Sequence, residues 1–210
     1  MRSYGQFCAL ARALDVVGDR WTLLIIRELA ARPCRFRDVA DGLPGIATNL
    51  LADRLRLLTV EGIVAHDAIG GTYQLTERGR GLGGALKALV RWGIPLMASG
   101  QGTDESRVHW LSLAISAIFE ETTLSEPVRV QVVTGSDEIE IVAHQQGTDT
   151  RIGNVLSPDV ILRGPHELIL GALSGDLSLE SAEETGLVIT GSRAALRTLI
   201  AARRYPRFDP

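Results

Sequence analysis

The sequence is poor in the residues that build cross-linked or metal-centred folds. Its two cysteines, Cys8 and Cys34, are too few for a disulfide framework or an all-cysteine zinc site. No run of about 18 apolar residues is free of charge, which excludes a membrane-spanning helix. Residues 1–6 lack the apolar core and the small-residue cleavage site of a secretory signal. We therefore expect a protein of the reducing cytoplasm with no membrane partner.

What is present is typical of a soluble globular chain: 45% of the residues are hydrophobic and 22% are charged. The net charge of −3 conceals an asymmetry. Residues 1–100 carry 13 Lys and Arg against 9 Asp and Glu, whereas the remaining residues carry 9 against 16. The basic half could tolerate a polyphosphate such as DNA. Charge alone leaves the alternative of ordinary solvated surface charge equally open.

A domain boundary is predicted at residues 99–106, where glycine and polar residues replace aliphatic ones. We accordingly expect a domain over residues 1–98, a linker over 99–106 and a second domain over 107–210. Each half is close to the commonest domain size, about 100–150 residues.

The first half has mostly helical periodicity, followed by two short strands. The predicted order is a helix ending at Gly18, a helix from Trp21 to Pro33, a short helix over residues 35–42, a helix from Thr48 to Gly62, strands over residues 63–67 and 72–76, and a helix over residues 77–97. That order is typical of a winged helix-turn-helix domain, which is mainly helical.

The second half alternates between helical and strand periodicity. It is predicted to contain a helix around Trp110, strands over residues 128–134, 138–144, 150–156, 159–162 and 187–190, and helices that begin at Pro165, Ser178 and Ser192. The fold class is therefore α+β, with a mostly antiparallel sheet in the second domain.

The turn at residues 43–46 carries the functional prediction. Two helices joined by a short glycine-containing turn can place the second helix in a DNA major groove. Base contacts are predicted for Thr48, Asn49, Ala52 and Asp53, phosphate contacts for Arg35, Arg37, Arg54 and Arg56, and a further contact for His66 beside the hairpin tip. The alternatives are a helical hairpin whose polar face is merely hydrated and, for His66, an exposed strand residue.

Other motifs nominate no enzyme, cofactor or metal. Residues 79–84 match the glycine pattern of dinucleotide-binding turns, but no parallel strand follows the predicted helix. Close packing of a helix against the hairpin or against a partner chain explains these glycines better. The four histidines are scattered and have no metal-ligand spacing.

Several motifs in the first half resemble the HxlR-type transcriptional regulators. They are the stretch from Cys8 to Ile25, Arg35-Phe36-Arg37-Asp38, Leu43-Pro44-Gly45-Ile46, residues 51–55, residues 61–64, residues 73–79 and Trp92-Gly93. The resemblance covers about residues 4–97. It implies a dimeric bacterial winged-helix repressor or activator whose N-terminal and last helices form the dimer interface.

The resemblance also makes Cys8 a redox-sensing candidate, because some family members sense electrophiles or oxidants through an N-terminal cysteine. A proline usually follows that cysteine, whereas Ala9 follows it here. Arg12, one helical turn away, could favour the thiolate. The alternative is a small hydrophobic residue buried near the dimer interface.

The second half resembles the sterol-carrier-protein-like domains over roughly residues 107–204. The resemblance is carried by residues 130–135, 159–164, 170–178 and 186–192. It implies an apolar tunnel for a hydrophobic effector, and a solid core is the alternative. We therefore predict a homodimeric regulator that binds a near-palindromic duplex. A lipid carrier without a DNA role is the rival hypothesis.

Overall fold

The computed structural model describes residues 3–97 and 100–204. The chain divides into two compact units between Leu86 and Lys87. This division falls inside a helix that spans Gly83–Gly93. The predicted domain bounds remain a prediction, and Ser99 of the predicted linker lies outside the described residues. The rest of that linker, residues 100–106, is exposed and forms neither helix nor strand.

The first unit is a small helical domain with a three-stranded antiparallel sheet. Its elements are α1 (Ala9–Val17), α2 (Thr22–Ala31), β1 (Cys34–Arg35), α3 (Phe36–Asp41), α4 (Thr48–Val60), β2 (Val64–Asp67), β3 (Thr72–Leu75), α5 (Glu77–Arg80) and the start of α6 (Gly83–Gly93). The strand order is β1-β3-β2, and both pairings are antiparallel.

Helices α2 and α4 each contribute three buried residues to the core of this unit. Ile25 and Leu29 of α2 are almost fully buried, and so are Leu51 and Leu55 of α4. Residues four apart lie on the same face of a helix, so each helix buries one apolar stripe. This packing leaves the opposite face of α4 in solvent.

The structure corrects the sequence prediction at two places in the first half of the chain. Strand β1 was not predicted, because two residues carry no detectable period; it pairs Cys34 with Tyr73. The predicted single helix over residues 77–97 is wrong, since it divides into α5, α6 and a 3₁₀ helix, Ile94–Met97. Closely spaced glycines weaken the first junction, and Pro95 lacks the N–H group that an α-helix needs.

The second unit contains a five-stranded mixed sheet covered by helices. Beyond α6 its elements are α7 (Val108–Ile118), β4 (Val128–Thr134), β5 (Asp137–His144), β6 (Gly147–Ile152), β7 (Val160–Arg163), α8 (His166–Ser174), α9 (Leu179–Glu184), β8 (Val188–Gly191) and α10 (Arg193–Ala202). The strand order is β6-β5-β4-β7-β8. Only β4 and β7 pair in parallel among these strands, so the α+β class with a mostly antiparallel sheet is confirmed.

Apolar side chains at alternate positions of β4 and β5 form part of the core of the second unit. Val130 and Val132 face Ile141 and Ile139 across the pairing, and all four are fully buried. Gln131 breaks the polar-out pattern, since it is also buried. Its carboxamide oxygen accepts a hydrogen bond from the Val155 N–H at 2.7 Å.

Two predicted helix starts are confirmed in this unit, and each has a serine cap. Ser178 Oγ accepts a hydrogen bond from the Ser181 N–H at 3.0 Å, and Ser192 Oγ accepts one from the Ala195 N–H at 3.2 Å. The predicted strand over residues 150–156 starts earlier, at Gly147, and ends at Ile152. Beyond it, the side chain of Gln131 forms hydrogen bonds with the backbone of Gly153 and Val155. Within the described residues, no helix has the length and apolarity required to cross a bilayer.

Candidate nucleic-acid interface

The connection between α3 and α4 is a tight turn anchored by one apolar side chain. Leu43 is 1% exposed, and its carbonyl accepts a hydrogen bond from the Ile46 N–H at 3.1 Å. Gly45 has φ +84°, a left-handed conformation that an L-residue with a side chain adopts only at a cost. The turn thus directs the chain from α3 into α4 and fixes where α4 begins.

The N-terminal turn of α4 presents polar side chains to solvent. Thr48 and Asn49 are exposed, while Leu51 points into the core. The preceding residue, Ala47, has no side-chain oxygen to cap the helix, so the N–H groups of the first turn are not taken by a capping side chain. Free N–H groups at a helix N-terminus are suited to a phosphate oxygen.

Further along α4, the two remaining residues predicted to contact bases differ in how exposed they are. Asp53 is exposed and Ala52 is half-buried. Arg56 forms an ion pair with Asp53 at 2.7 Å, with the two side chains 70% and 66% exposed. Such surface pairs are worth about 0–1 kcal/mol, so Arg56 can exchange its carboxylate partner for a phosphate at little cost.

Arg54 has a different environment from the other predicted phosphate ligands. Its guanidinium lies 2.7 Å from a carboxylate oxygen of Asp19, in the turn between α1 and α2. Asp19 also accepts a hydrogen bond from the Trp21 N–H at 3.0 Å. The pair links α4 to the N-terminus of α2, and a phosphate contact by Arg54 would require breaking it.

The two arginines around the start of α3 are exposed. The Arg35 backbone N–H donates to the Asp38 carboxylate at 2.9 Å, which closes the first turn of α3 and leaves the Arg35 side chain exposed. Arg37 lies 3.9 Å from Asp41 with 92% of its side chain exposed, so this contact is weak.

The hairpin between β2 and β3 forms the wing. Its turn is held by Asp67, whose carboxylate accepts a hydrogen bond from the Ile69 N–H at 3.0 Å and whose carbonyl accepts one from the Gly71 N–H at 2.7 Å. His66 is exposed and stacks on Tyr73, its cross-strand partner, with ring centroids 4.3 Å apart. Sequence reasoning missed Tyr73, although the hairpin register would have identified it.

Packing explains the first glycine of the stretch after the wing. A Cβ atom at Gly79 would lie 2.2 Å from the Ile63 carbonyl oxygen, so α5 can approach the ribbon only without a side chain there. The Thr76 hydroxyl caps α5 and also donates to the Gly62 carbonyl at 2.6 Å. Across residues 3–97 and 100–204, no group of three or more His, Cys, Asp or Glu side chains could hold a metal ion.

Comparison with known proteins identifies the first half of the chain. The sequence model of HxlR-like helix-turn-helix proteins matches residues 16–100. The transcriptional regulator YvaP of Bacillus subtilis is 33% identical over 86 residues, which cover 39% of this chain and 80% of that protein. This chain belongs to the HxlR family.

Other relatives also match less than half of the HxlR-type chain. The regulator Rv3095 of Mycobacterium tuberculosis is 38% identical over 99 residues, 45% of this chain. The chain thus spans 62% of the length of this mycobacterial relative. The regulator YodB of B. subtilis is 33% identical over 85 residues, 76% of its length. These relatives are helix-turn-helix transcriptional regulators, a family without enzymatic activity.

Among solved structures, quinone-bound YodB is similar to 40% of this HxlR-type chain at 32% identity, covering 93% of the YodB chain, with a TM-score of 0.38. The family assignment is based on the sequences, because this TM-score is too low to support an argument.

Proposed function

We propose that this HxlR-type chain is a homodimeric regulator that inserts the N-terminal part of α4 into the major groove of duplex DNA. The observation that carries the proposal is the division of α4 into two faces. Leu51, Leu55 and Leu58 are buried, while Thr48 and Asn49 are exposed at the end that follows the turn. A helix fixed by its apolar face presents its polar face in one orientation, which base recognition requires.

The side chains of α4 have complementary roles in this proposal. Asn49 can form two hydrogen bonds with adenine, Asp53 can accept from cytosine, and Thr48 can reach a base or a phosphate. Ala52 is short enough to allow close approach to a thymine methyl group. These contacts specify sequence, whereas contacts to phosphates set register and affinity.

Phosphate contacts are proposed for Arg35, Arg37 and Arg56, whose side chains are exposed. Arg37 and Arg56 have weak carboxylate partners, and Arg35 forms no ion pair within the described part of the chain. We assign Arg54 a positioning role through Asp19, since its carboxylate partner is half-buried with it. A contact from the wing to the backbone or the adjacent groove is proposed for His66, which stacks on Tyr73.

Homodimerisation is supported by apolar side chains that protrude from α1 and from the segment before it. Phe7, Leu10 and Leu14 are 107%, 66% and 40% exposed. In the other compact unit, Leu89 and Trp92 of α6 are 50% and 61% exposed. Exposed apolar residues are a feature of interfaces. A symmetric dimer would place its two α4 helices roughly 34 Å apart, one turn of DNA.

We further propose that the second unit is a sterol-carrier-like domain that binds an apolar effector. The support is its mixed sheet packed against α7, α8 and α10, with an aliphatic core. An effector shifts DNA affinity only by its preference for one conformation, typically by about 1–3 kcal/mol. Independent domains over residues 1–98 and 107–210, joined by the linker 99–106, are part of this proposal.

Cys8 remains a candidate redox sensor. It is exposed at the start of α1, one turn before Arg12, whereas Cys34 is buried and burial raises the pKa of its thiol. Alkylation of the native protein by iodoacetamide, followed by mass spectrometry, separates the two roles. Rapid modification at Cys8 supports sensing, and protection in the dimer supports the interface alternative.

The test of DNA binding is selection of duplexes from a random library, followed by fluorescence anisotropy on the selected site. We expect a near-palindromic site whose affinity falls with salt. Asn49→Ala should cost about 1–3 kcal/mol and relax selectivity at one base pair, whereas Arg56→Ala should weaken all duplexes and lower the salt slope by about one. Arg151→Ala, an exposed arginine of β6, serves as the control.

Selection that yields no enriched site, or equal affinity for duplex DNA and heparin, would contradict the proposal. That outcome, together with unchanged binding in Asn49→Ala, is what the carrier hypothesis predicts.

A further inference from the structure

The first unit contains a pocket away from α4, between the end of α2, strand β3 and the start of α6. Its volume is about 410 Å³. Ligand pockets measure roughly 300–1,000 Å³, so this one suits a small molecule. The apolar part of its lining includes Ile26, Leu29 and Leu86, which belong to two different helices.

Two arginines line the same pocket. Arg32 follows the last residue of α2, and Arg80 is the last residue of α5. One Nη group of Arg80 donates to the Leu75 carbonyl at 2.8 Å, which holds the guanidinium over β3 and leaves its other donors for a ligand. Among the described residues that line the pocket, none is acidic.

This combination defines the ligand's chemistry. Apolar walls favour a hydrophobic body, and two cations without a neighbouring carboxylate favour one anionic group. We propose that this pocket binds an amphipathic carboxylate, with its carboxylate at Arg32 and Arg80. Its apolar body would lie against the exposed lining residues Ala30, Ala31 and Pro33, above the nearly buried Ile26, Leu29 and Leu86. This site is distinct from the effector site proposed in the second unit.

A bound carboxylate would link the C-terminal end of α2 to β3, because residues of both line the pocket. Strand β3 also carries Tyr73, on which the wing residue His66 stacks. Occupancy of the pocket therefore changes how firmly β3, and with it the wing, is held against α2. An effect on DNA affinity rests on the proposed function, whereas ligand binding itself does not.

Two neighbouring glycines provide a matched pair of variants. Gly83 lines the pocket and Gly84 does not, and a Cβ atom at either position would meet nothing within 4 Å. Replacing either glycine by leucine favours helix formation, so both variants should fold. Only Gly83→Leu places a larger side chain at the pocket lining.

Binding is measured by calorimetry on the full chain with octanoate and 1-naphthoate, alongside octan-1-ol and acetate. We expect saturable binding of the two amphipathic carboxylates and none of acetate. Octan-1-ol should bind at least about 10-fold more weakly than octanoate, because it lacks the charge-assisted hydrogen bonds that a carboxylate forms with two arginines.

The variants locate the site. Gly83→Leu should abolish octanoate binding while Gly84→Leu leaves it unchanged. Arg32→Gln and Arg80→Gln should each weaken it about 10-fold or more, whereas Arg78→Gln, an exposed position of α5 outside the lining, should not. Circular dichroism checks that each variant retains its helices.

Absence of saturable carboxylate binding overturns the proposal. So does equal binding of octan-1-ol, or octanoate binding that survives Gly83→Leu and both arginine substitutions. Anisotropy with and without octanoate then measures coupling: a changed DNA affinity supports regulation through the wing, and an unchanged one overturns that part. If the chain binds no DNA, the proposed function fails while calorimetry still decides the pocket.

Discussion

Breaking the ion pair between Arg54 and Asp19 should cost more than breaking the equally short pair between Arg56 and Asp53. Both pairs have a nitrogen–oxygen distance of 2.7 Å, and both use α4. The side chains of the first pair are 28% and 29% exposed, and those of the second are 70% and 66% exposed. Since Coulomb attraction strengthens as water is excluded, exposure should decide the difference.

The magnitude follows from what each substitution leaves behind. Arg54→Ala leaves the Asp19 carboxylate with the hydrogen bond from the Trp21 N–H. A hydrogen bond to a charged group contributes about 1.5–3 kcal/mol. Arg54 Nε is buried without a hydrogen-bond partner, and this offsets part of that gain. We therefore expect a coupling energy of about 1–2 kcal/mol for this pair and below about 0.5 kcal/mol for the exposed one.

Two double-mutant cycles measure these couplings. Each combines the two single alanine variants of a pair with the double variant, in urea unfolding of the full chain. The chain has three tryptophans. In a background of Trp92→Phe and Trp110→Phe, fluorescence of Trp21 reports the first unit, where both pairs lie. Equal couplings in the two cycles, or a larger value for the exposed pair, would refute the reasoning.

Gln131→Leu should destabilise the second unit by about 1–3 kcal/mol in urea, because it leaves the buried Val155 N–H without an acceptor; a loss below about 0.5 kcal/mol would contradict this. Burial lowers the pKa of His166 below its ordinary value of 6.5, against opposing effects of nearby carboxylates. The contribution of His166 to the free energy of unfolding is therefore complete above pH 6.5 and is lost as the pH falls through its lower pKa in the folded state. The urea midpoint should fall between about pH 7 and pH 5, and this fall should be smaller in His166→Gln. An identical fall in both proteins would refute that assignment. Leu10→Glu should produce a monomer in sedimentation velocity, whereas Ile152→Glu, at an exposed position of the second unit, should not; a dimeric Leu10→Glu would exclude α1 from the interface.

Much of the fold could be predicted from local patterns. A single segment is enough to identify a helix or a strand by the spacing of its apolar residues. Examples are the helical spacing of Leu51 and Leu55 and the alternation of Val130 and Val132. The caps at Ser178 and Ser192 were equally local, because a capping oxygen bonds to N–H groups in the following turn. These predictions succeeded since each interaction closes within a few residues.

The position of the candidate site could be predicted from the sequence, but the ion pairs of its arginines could not. The turn at Gly45 and the exposed Thr48 and Asn49 follow from the order of helix, turn and helix. That order could not distinguish Arg54 from Arg56, which differ in whether their carboxylate comes from α2 or from the same helix. Arg54 is assigned a positioning role and Arg56 a phosphate contact because only the tertiary packing brings Asp19 to Arg54.

The sequence by itself determined most of the element types, the helix-turn-helix order and the membership of the HxlR family, because periodicity, turn residues and caps act over short stretches of chain. Tertiary structure alone decided the pairing of β4 with β7, the burial of Gln131, the ion pair of Arg54 with Asp19 and the pocket that brings Arg32 near Arg80. Each of these joins groups from separate elements, and their energies depend on the water that packing removes around them.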